Sequence, residues 1–351
     1  MLERQVLMSM PGKGTEVVRG HELQPRIVYG THLTRWFLVG GLLLFLVLLW
    51  RVGLGSIGQL LWKVGWTIPM VFVPYTLVIG CEALGWWFAF PSSQLLRFYD
   101  LVRLTVATKA VQLLTPSITQ AGEFIKVHLL RLNEVEVDVG AASVVIAKTA
   151  ITIAELLFIG LGLTLALGYV TVEPVVAIQV ALGIVVMGLG VVGVLIWQRI
   201  GLFRPLNWLG RYIGPLTTFV NRYEGLLSSI ERIVRAHLDE RWRFGWSCSW
   251  FFMGWAAGIV EVWVFLGVLG LPSDVQSALV IQVWSVIVTR LTTFIPGNLG
   301  AQEAGIVMIF SFLGLSPESA MAFAVLRRLR QLGWIAAGLG YLTKMSRRKD
   351  P

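Results

Sequence analysis

Charge is scarce in this sequence: Asp, Glu, Lys and Arg make up 14% of its 351 residues, against about a quarter in a soluble domain. Cysteine is scarcer still, with Cys81 and Cys248 alone, each in or beside an apolar run. They form no CxxC pair, which excludes a disulfide framework or a thiolate metal site. Four histidines (His21, His32, His128 and His237) make no HExxH cluster. There is no G-x-x-x-x-G-K-[ST] and no GxSxG, and Met10 to Gly14 lacks phosphate-loop spacing. No paired-carboxylate site stands out. These absences argue against an enzyme, a bound cofactor or metal, and ATP-driven pumping by this chain alone.

What is abundant is apolar. Hydrophobic residues reach 56%, and the mean hydropathy is +0.74. The 37 glycines suit helices packed closely in lipid, and the 15 tryptophans suit membrane interfaces. The formal net charge of +9 lies mainly in loops between apolar runs. That placement fits the positive-inside pattern and anionic headgroups, not nucleic acid.

A span needs about 20 apolar residues. Six stretches qualify: Trp36 to Val52, Trp66 to Phe90, Ala141 to Val170, Val175 to Trp197, Phe244 to Leu269 and Pro317 to Leu342. The expected fold is an all-α integral membrane protein with about six firm transmembrane helices. Two helical hairpins, re-entrant or fully crossing, are added to these. Residues 95–131 break at Thr115-Pro-Ser117, and residues 277–313 break at Pro296-Gly-Asn298. Proline removes a donor and glycine relaxes the turn, so each is a helix–break–helix. Such a break at membrane depth must be shielded by protein or line a wet cavity.

Residues 1–34 read as a cytoplasmic N-terminal segment with no cleavage site, so the first apolar run is expected to act as an uncleaved anchor. Residues 35–343 form the membrane domain, and 344–351 a basic tail. The 199–243 loop carries eight Arg against four acids, which places it and both termini in the cytoplasm. Within it, Phe219, Tyr223, Leu226, Leu227, Ile230, Val234 and Leu238 share one helical face. Such a helix either lies in the headgroup layer or caps its own bundle.

The two breaks resemble each other. Glu123 follows Pro116 by seven residues, and Glu303 follows Pro296 by seven. A cation precedes each proline, Lys109 by seven residues and Arg290 by six. Three firm spans separate the breaks, so two similar units would be inverted relative to each other. In transporters, paired broken helices of inverted repeats mark the binding site.

Glu123 and Glu303 are either placed by the helix dipole or stand in a polar cavity. Arg290, Arg327, Arg328 and Arg330 either hold a phosphate in bidentate fashion or snorkel. Arg327 and Arg330 are one turn apart, and Arg328 points to another face. The same choice applies to Lys109, Lys126 and Arg131. Lys148 and Glu155 share a face, each paired elsewhere or structural. Gln120, Asn298 and Gln302 satisfy freed backbone groups or meet a ligand.

Phe294-Ile-Pro-Gly-Asn-Leu-Gly-Ala-Gln-Glu303, Leu313-Gly-Leu-Ser-Pro-Glu-Ser-Ala320 and Leu326-Arg-Arg-Leu-Arg330 resemble the membrane domain of the lysylphosphatidylglycerol synthase family. The first break resembles that family's other signature, with Ala121 in place of the first glycine of a Gly-Gly-Glu. The Gln302-Glu303 pair and the Arg-x-x-Arg run look most like the subgroup associated with hopanoid biosynthesis genes. The resemblance covers about residues 35–343, and its best-matched positions are Pro116, Gly122, Glu123, Pro296, Gly297, Gly300, Glu303 and Arg328. It implies a bacterial cytoplasmic-membrane protein that moves a polar-headed lipid between leaflets. Membrane lipids, and lipid-biosynthesis enzymes, are the partners it implies. The alternative is an accessory protein that scaffolds such a pathway without transporting.

Overall fold

A computed structural model describes residues 62, 65–91, 96–114, 119–168, 174–201, 203–204, 208, 212 and 214–347. The expected first span, the N-terminal segment, Pro116 and the end of the tail lie outside them. The described residues form helices and no strand. They are α1 (Val73–Ala89), α2 (Phe98–Leu114), α3 (Thr119–Leu132), α4 (Val137–Leu167) and α5 (Pro174–Gly201). After them come α6 (Gly214–Asp239), α7 (Arg241–Val268), α8 (Val275–Leu291), α9 (Ala301–Phe312) and α10 (Pro317–Arg347). A 3-10 segment, Gly65–Val71, precedes α1, and a 3-10 turn, Pro296–Asn298, joins α8 to α9.

Among the described residues four helical stretches are long and apolar enough to cross a membrane: Pro69–Ala89, Val137–Leu167, Ala177–Gly201 and Arg241–Val268. At 31 residues α10 has the length, but three arginines interrupt its apolar character. The expected span from Trp66 does not run as one α-helix. Pro69 falls in the 3-10 segment and Pro74 in the first turn of α1, where a missing N–H costs nothing.

The second expected break is present, whereas residues 115–118, where the first was expected, lie outside the described residues. α2 ends at Leu114 and α3 begins at Thr119. α8 ends at Leu291, four residues before the apolar run does, and the backbone turns beyond it, with Ile295 N–H donating to Thr292 O (2.8 Å) and Asn298 N–H to Ile295 O (2.9 Å). Gly297, Asn298 and Gly300 all adopt positive φ (60°, 49° and 76°). Glycine enters that region freely, and asparagine at a smaller cost than most other residues.

The structure extends the likeness of the two breaks into a repeat in one register. α3 ends at Leu132 and α9 at Phe312; α4 covers Val137–Leu167 and α10 Pro317–Arg347, each pair displaced by 180 residues. The connecting turns repeat in the same register. Glu134 (φ 65°) and Gly314 (φ 73°) are both left-handed. Val135 N–H bonds Leu130 O at 3.2 Å, and Leu315 N–H bonds Phe310 O at 2.8 Å. This is one helix-ending motif used twice. Packing follows the same plan. α1 lies along α7, α2 along α10, and α8 along α4. α3 packs on α4 as α9 packs on α10.

Glycines allow the closest helix contacts. A Cβ at Gly85 would stand 2.9 Å from the Phe251 ring, and one at Gly338 2.7 Å from Val106 O. α5 is the exception, since its apolar window buries nothing inside the protein.

α6 turns Ile230, Val234 and Leu238 into the core beside α4, so this face caps the bundle. Ser229 Oγ fixes it by donating to Asp138 Oδ2 at 2.6 Å. Beside it, His237 is 2% exposed, and neither ring nitrogen finds a partner among the described residues. Burial, and then the charge of Arg243, push its pKa down to about 4. The unfolded chain therefore binds a proton near pH 6.5 that the folded one refuses. Stability from this site is complete above that pH and is lost as pH falls toward 4, by roughly 3 kcal/mol. Melting at pH 7.5 and pH 5 should show the drop in wild type, and His237→Phe should show much less of it.

Candidate functional site

The two hairpins meet around a polar cavity. A hollow of about 330 Å³ is lined from the first hairpin by Lys109, Gln112, Glu123 and Lys126. The second hairpin contributes Thr289, Arg290, Thr293, Gly297, Asn298 and Gln302. A second hollow of about 220 Å³ shares Glu82, Lys109, Trp255, Arg290 and Gln302 with it. It continues toward Tyr75, Glu261, Gln282, Arg327 and Arg330.

Ion pairs between helices build the walls. Lys109 (α2) reaches Glu82 (α1) at 2.6 Å and the Tyr75 hydroxyl at 3.3 Å. Arg290 (α8) holds both carboxylate oxygens of Glu155 (α4). Arg330 (α10) bonds Glu261 (α7) at 2.7 Å, with its guanidinium 3.9 Å from the Tyr75 ring centre. Glu123 (α3) is shared by Lys126 at 3.0 Å and Lys148 (α4) at 3.7 Å.

The last pair has a counterpart 180 residues on. Glu303 (α9) meets Arg328 (α10) at 2.6 Å, and Glu123 and Lys148 occupy the equivalent positions. The two are unequal. Arg328 also donates to Gly297 O (2.9 Å), Asn298 O (3.3 Å) and Gln331 Oε1 (2.9 Å), sealing the second break. Its Glu303 partner is buried, whereas the Lys148 side chain is 45% exposed.

Of the residues singled out from sequence, Lys109, Glu123, Arg290, Gly297, Asn298, Gln302, Arg327 and Arg330 are brought to the cavity. Glu303 and Arg328 line neither hollow; they form a closed pair beside them. Pro296 opens the 3-10 turn, and Gly300 caps α9. Gln120 and Gly122 lie in the first turns of α3, and Pro116 falls outside the described residues. Sequence reasoning left out Glu82, Glu261, Tyr75, Trp255 and Gln282. The signal for both acids was present, as a carboxylate inside an otherwise apolar span.

The charges do not balance. Lys109, Lys126, Lys148, Arg290, Arg327 and Arg330 line the hollows, against Glu82, Glu123 and Glu261. Counting Glu155 behind Arg290, six cations face four carboxylates. The lining therefore carries an excess of two positive charges.

The family described as the lysylphosphatidylglycerol synthase TM region matches residues 36–340. The chain belongs to this family. The match takes in every described helix but the last turns of α10, and so both hairpins and the cavity of this synthase-type membrane domain. No curated protein and no solved structure matches the chain. Membership makes this a membrane protein of lipid-related function.

Proposed function

We propose that the chain is a lipid translocase, moving a polar-headed lipid between the leaflets of a bacterial cytoplasmic membrane. The observation that carries this reading is the charged cavity reached by both broken hairpins. A headgroup crossing the bilayer needs polar partners throughout its path, because each unsatisfied polar group in hydrocarbon costs several kcal/mol. The charged and polar side chains of the cavity support such a path over its own extent, and family membership supports the link to lipid. With no nucleotide motif, transport would run downhill or couple to another gradient. The chain would make no lipid itself but act on the product of lipid-biosynthesis enzymes, hopanoid-linked ones included.

The test uses purified protein in vesicles carrying an acyl-labelled phospholipid, with dithionite quenching the outer leaflet. Wild type should expose the inner-leaflet label within minutes. Thr289→Trp should slow it at least tenfold, since Thr289 lines both hollows. Vesicles whose inner leaflet stays protected, with folded protein present, would favour a scaffolding role for the same pathway.

A further inference from the structure

We infer that the cavity selects a headgroup with net negative charge, its phosphate held by Arg327 and Arg330, over zwitterionic and cationic ones. This rests on the translocase reading and names its substrate class.

Arg327 carries the argument. It is 6% exposed, and among the described residues no carboxylate lies within 4.0 Å of it. Its hydrogen bond is a long one, 3.4 Å from Nη2 to Gln282 Oε1, and Nη1 has no partner. A guanidinium so enclosed is costly unless an anion completes it. Arg330, one turn along the same face, spends Nη1 on Glu261 and leaves Nε without a partner. Both residues line one wall of the second hollow, with the unspent donors enclosed just behind it, and turning either side chain into the hollow would present phosphate oxygens with the fork geometry arginine offers. Gly258 keeps the neighbouring Gln282 amide in place, because a Cβ there would collide with it.

The opposite end of the path repeats the excess, as Lys126 and Lys148 share the one carboxylate of Glu123. A phosphate neutralised by its own ammonium would bring no net charge to offset two spare cations. A cationic headgroup would add to them. A low-dielectric site magnifies this difference.

The experiment reads transport and binding separately. Vesicles of phosphatidylcholine carry one acyl-labelled probe at a time: phosphatidic acid, phosphatidylglycerol, phosphatidylcholine, or a trimethylammonium-propane lipid. Wild type should move the two anionic probes at least tenfold faster than phosphatidylcholine, and the cationic probe slowest. Arg327→Gln should bring the anionic-to-zwitterionic ratio toward one, and Arg327→Lys should restore part of it. In detergent, dioctanoyl phosphatidylglycerol should raise the melting temperature of the full chain more than dioctanoyl phosphatidylcholine or inorganic phosphate does. Equal rates for all headgroups, or faster movement of the cationic probe, would overturn the selectivity while leaving translocation intact. Stabilisation by the anionic lipid without movement of any probe would keep the site and sink the transport reading. Equal stabilisation by inorganic phosphate would assign the site to free phosphate and overturn the lipid headgroup. A ratio unchanged in a folded Arg327→Gln protein would remove Arg327 from it.

Discussion

Arg328→Ala should destabilise the protein by roughly 3–5 kcal/mol, the range for removing one partner of a buried ion pair. The substitution takes from the Glu303 carboxylate, 2% exposed, its one ion-pair partner within 4.0 Å among the described residues. It also strands the Gly297 and Asn298 carbonyls at the break, which Arg328 holds at 2.9 and 3.3 Å. Heating in detergent, followed by size-exclusion chromatography, reads the loss. The Glu303→Leu, Arg328→Met pair should recover most of it, because an apolar pair strands no charge. The equivalent Lys148→Ala should cost no more than about 1 kcal/mol, as its pair with Glu123 is longer and the lysine is half in the open. Equal losses at both positions would contradict the asymmetry of the two hairpins.

Glu261→Leu is expected to cost as much, and more than Arg330→Met. Both side chains of this pair are at most 7% exposed. Removing the acid leaves Arg330 unpaired beside Arg327 and Arg328, with Glu303 alone to oppose three guanidinium groups. Removing Arg330 instead frees Glu261 for Arg327, which its charge already attracts. The order of the two melting temperatures tests this. An Arg330→Met protein less stable than Glu261→Leu would show that Arg327 cannot take over the pair.

Much of the architecture was legible because bilayer crossing leaves a coarse mark. The long apolar runs became α4, α5 and α7 to within a few residues. Proline with glycine located the break between α8 and α9. The face shared by Arg327 and Arg330, apart from Arg328, followed from helical angle alone: the first two reach the cavity, and Arg328 turns to Glu303. Pairing was not legible. Glu82 finds Lys109 across 27 residues, Glu261 finds Arg330 across 69, and Glu155 finds Arg290 across 135. No local pattern encodes such partners. The end of α8 was misjudged because Thr292 to Ile295 reads as apolar helix while Thr292 is bonded into a turn. The amphipathic face of α6 looked the same whether it meant lipid or protein. Contact with α4 decides it.

α5 contributes none of its apolar window to the core, yet it stands between the two repeated units. Its value is one of parity. With α4 and α7 it makes three stretches between the hairpins that are long and apolar enough to cross a membrane, an odd number, and on that count the second unit would enter from the opposite side to the first. What the chain requires of α5 is a length and an oiliness, not an order of letters. Outside Gln198, which is buried and bonded to Thr149 of α4, the exposed apolar positions there can exchange one apolar residue for another, whereas adding or deleting one whole crossing would reverse the parity of everything after it.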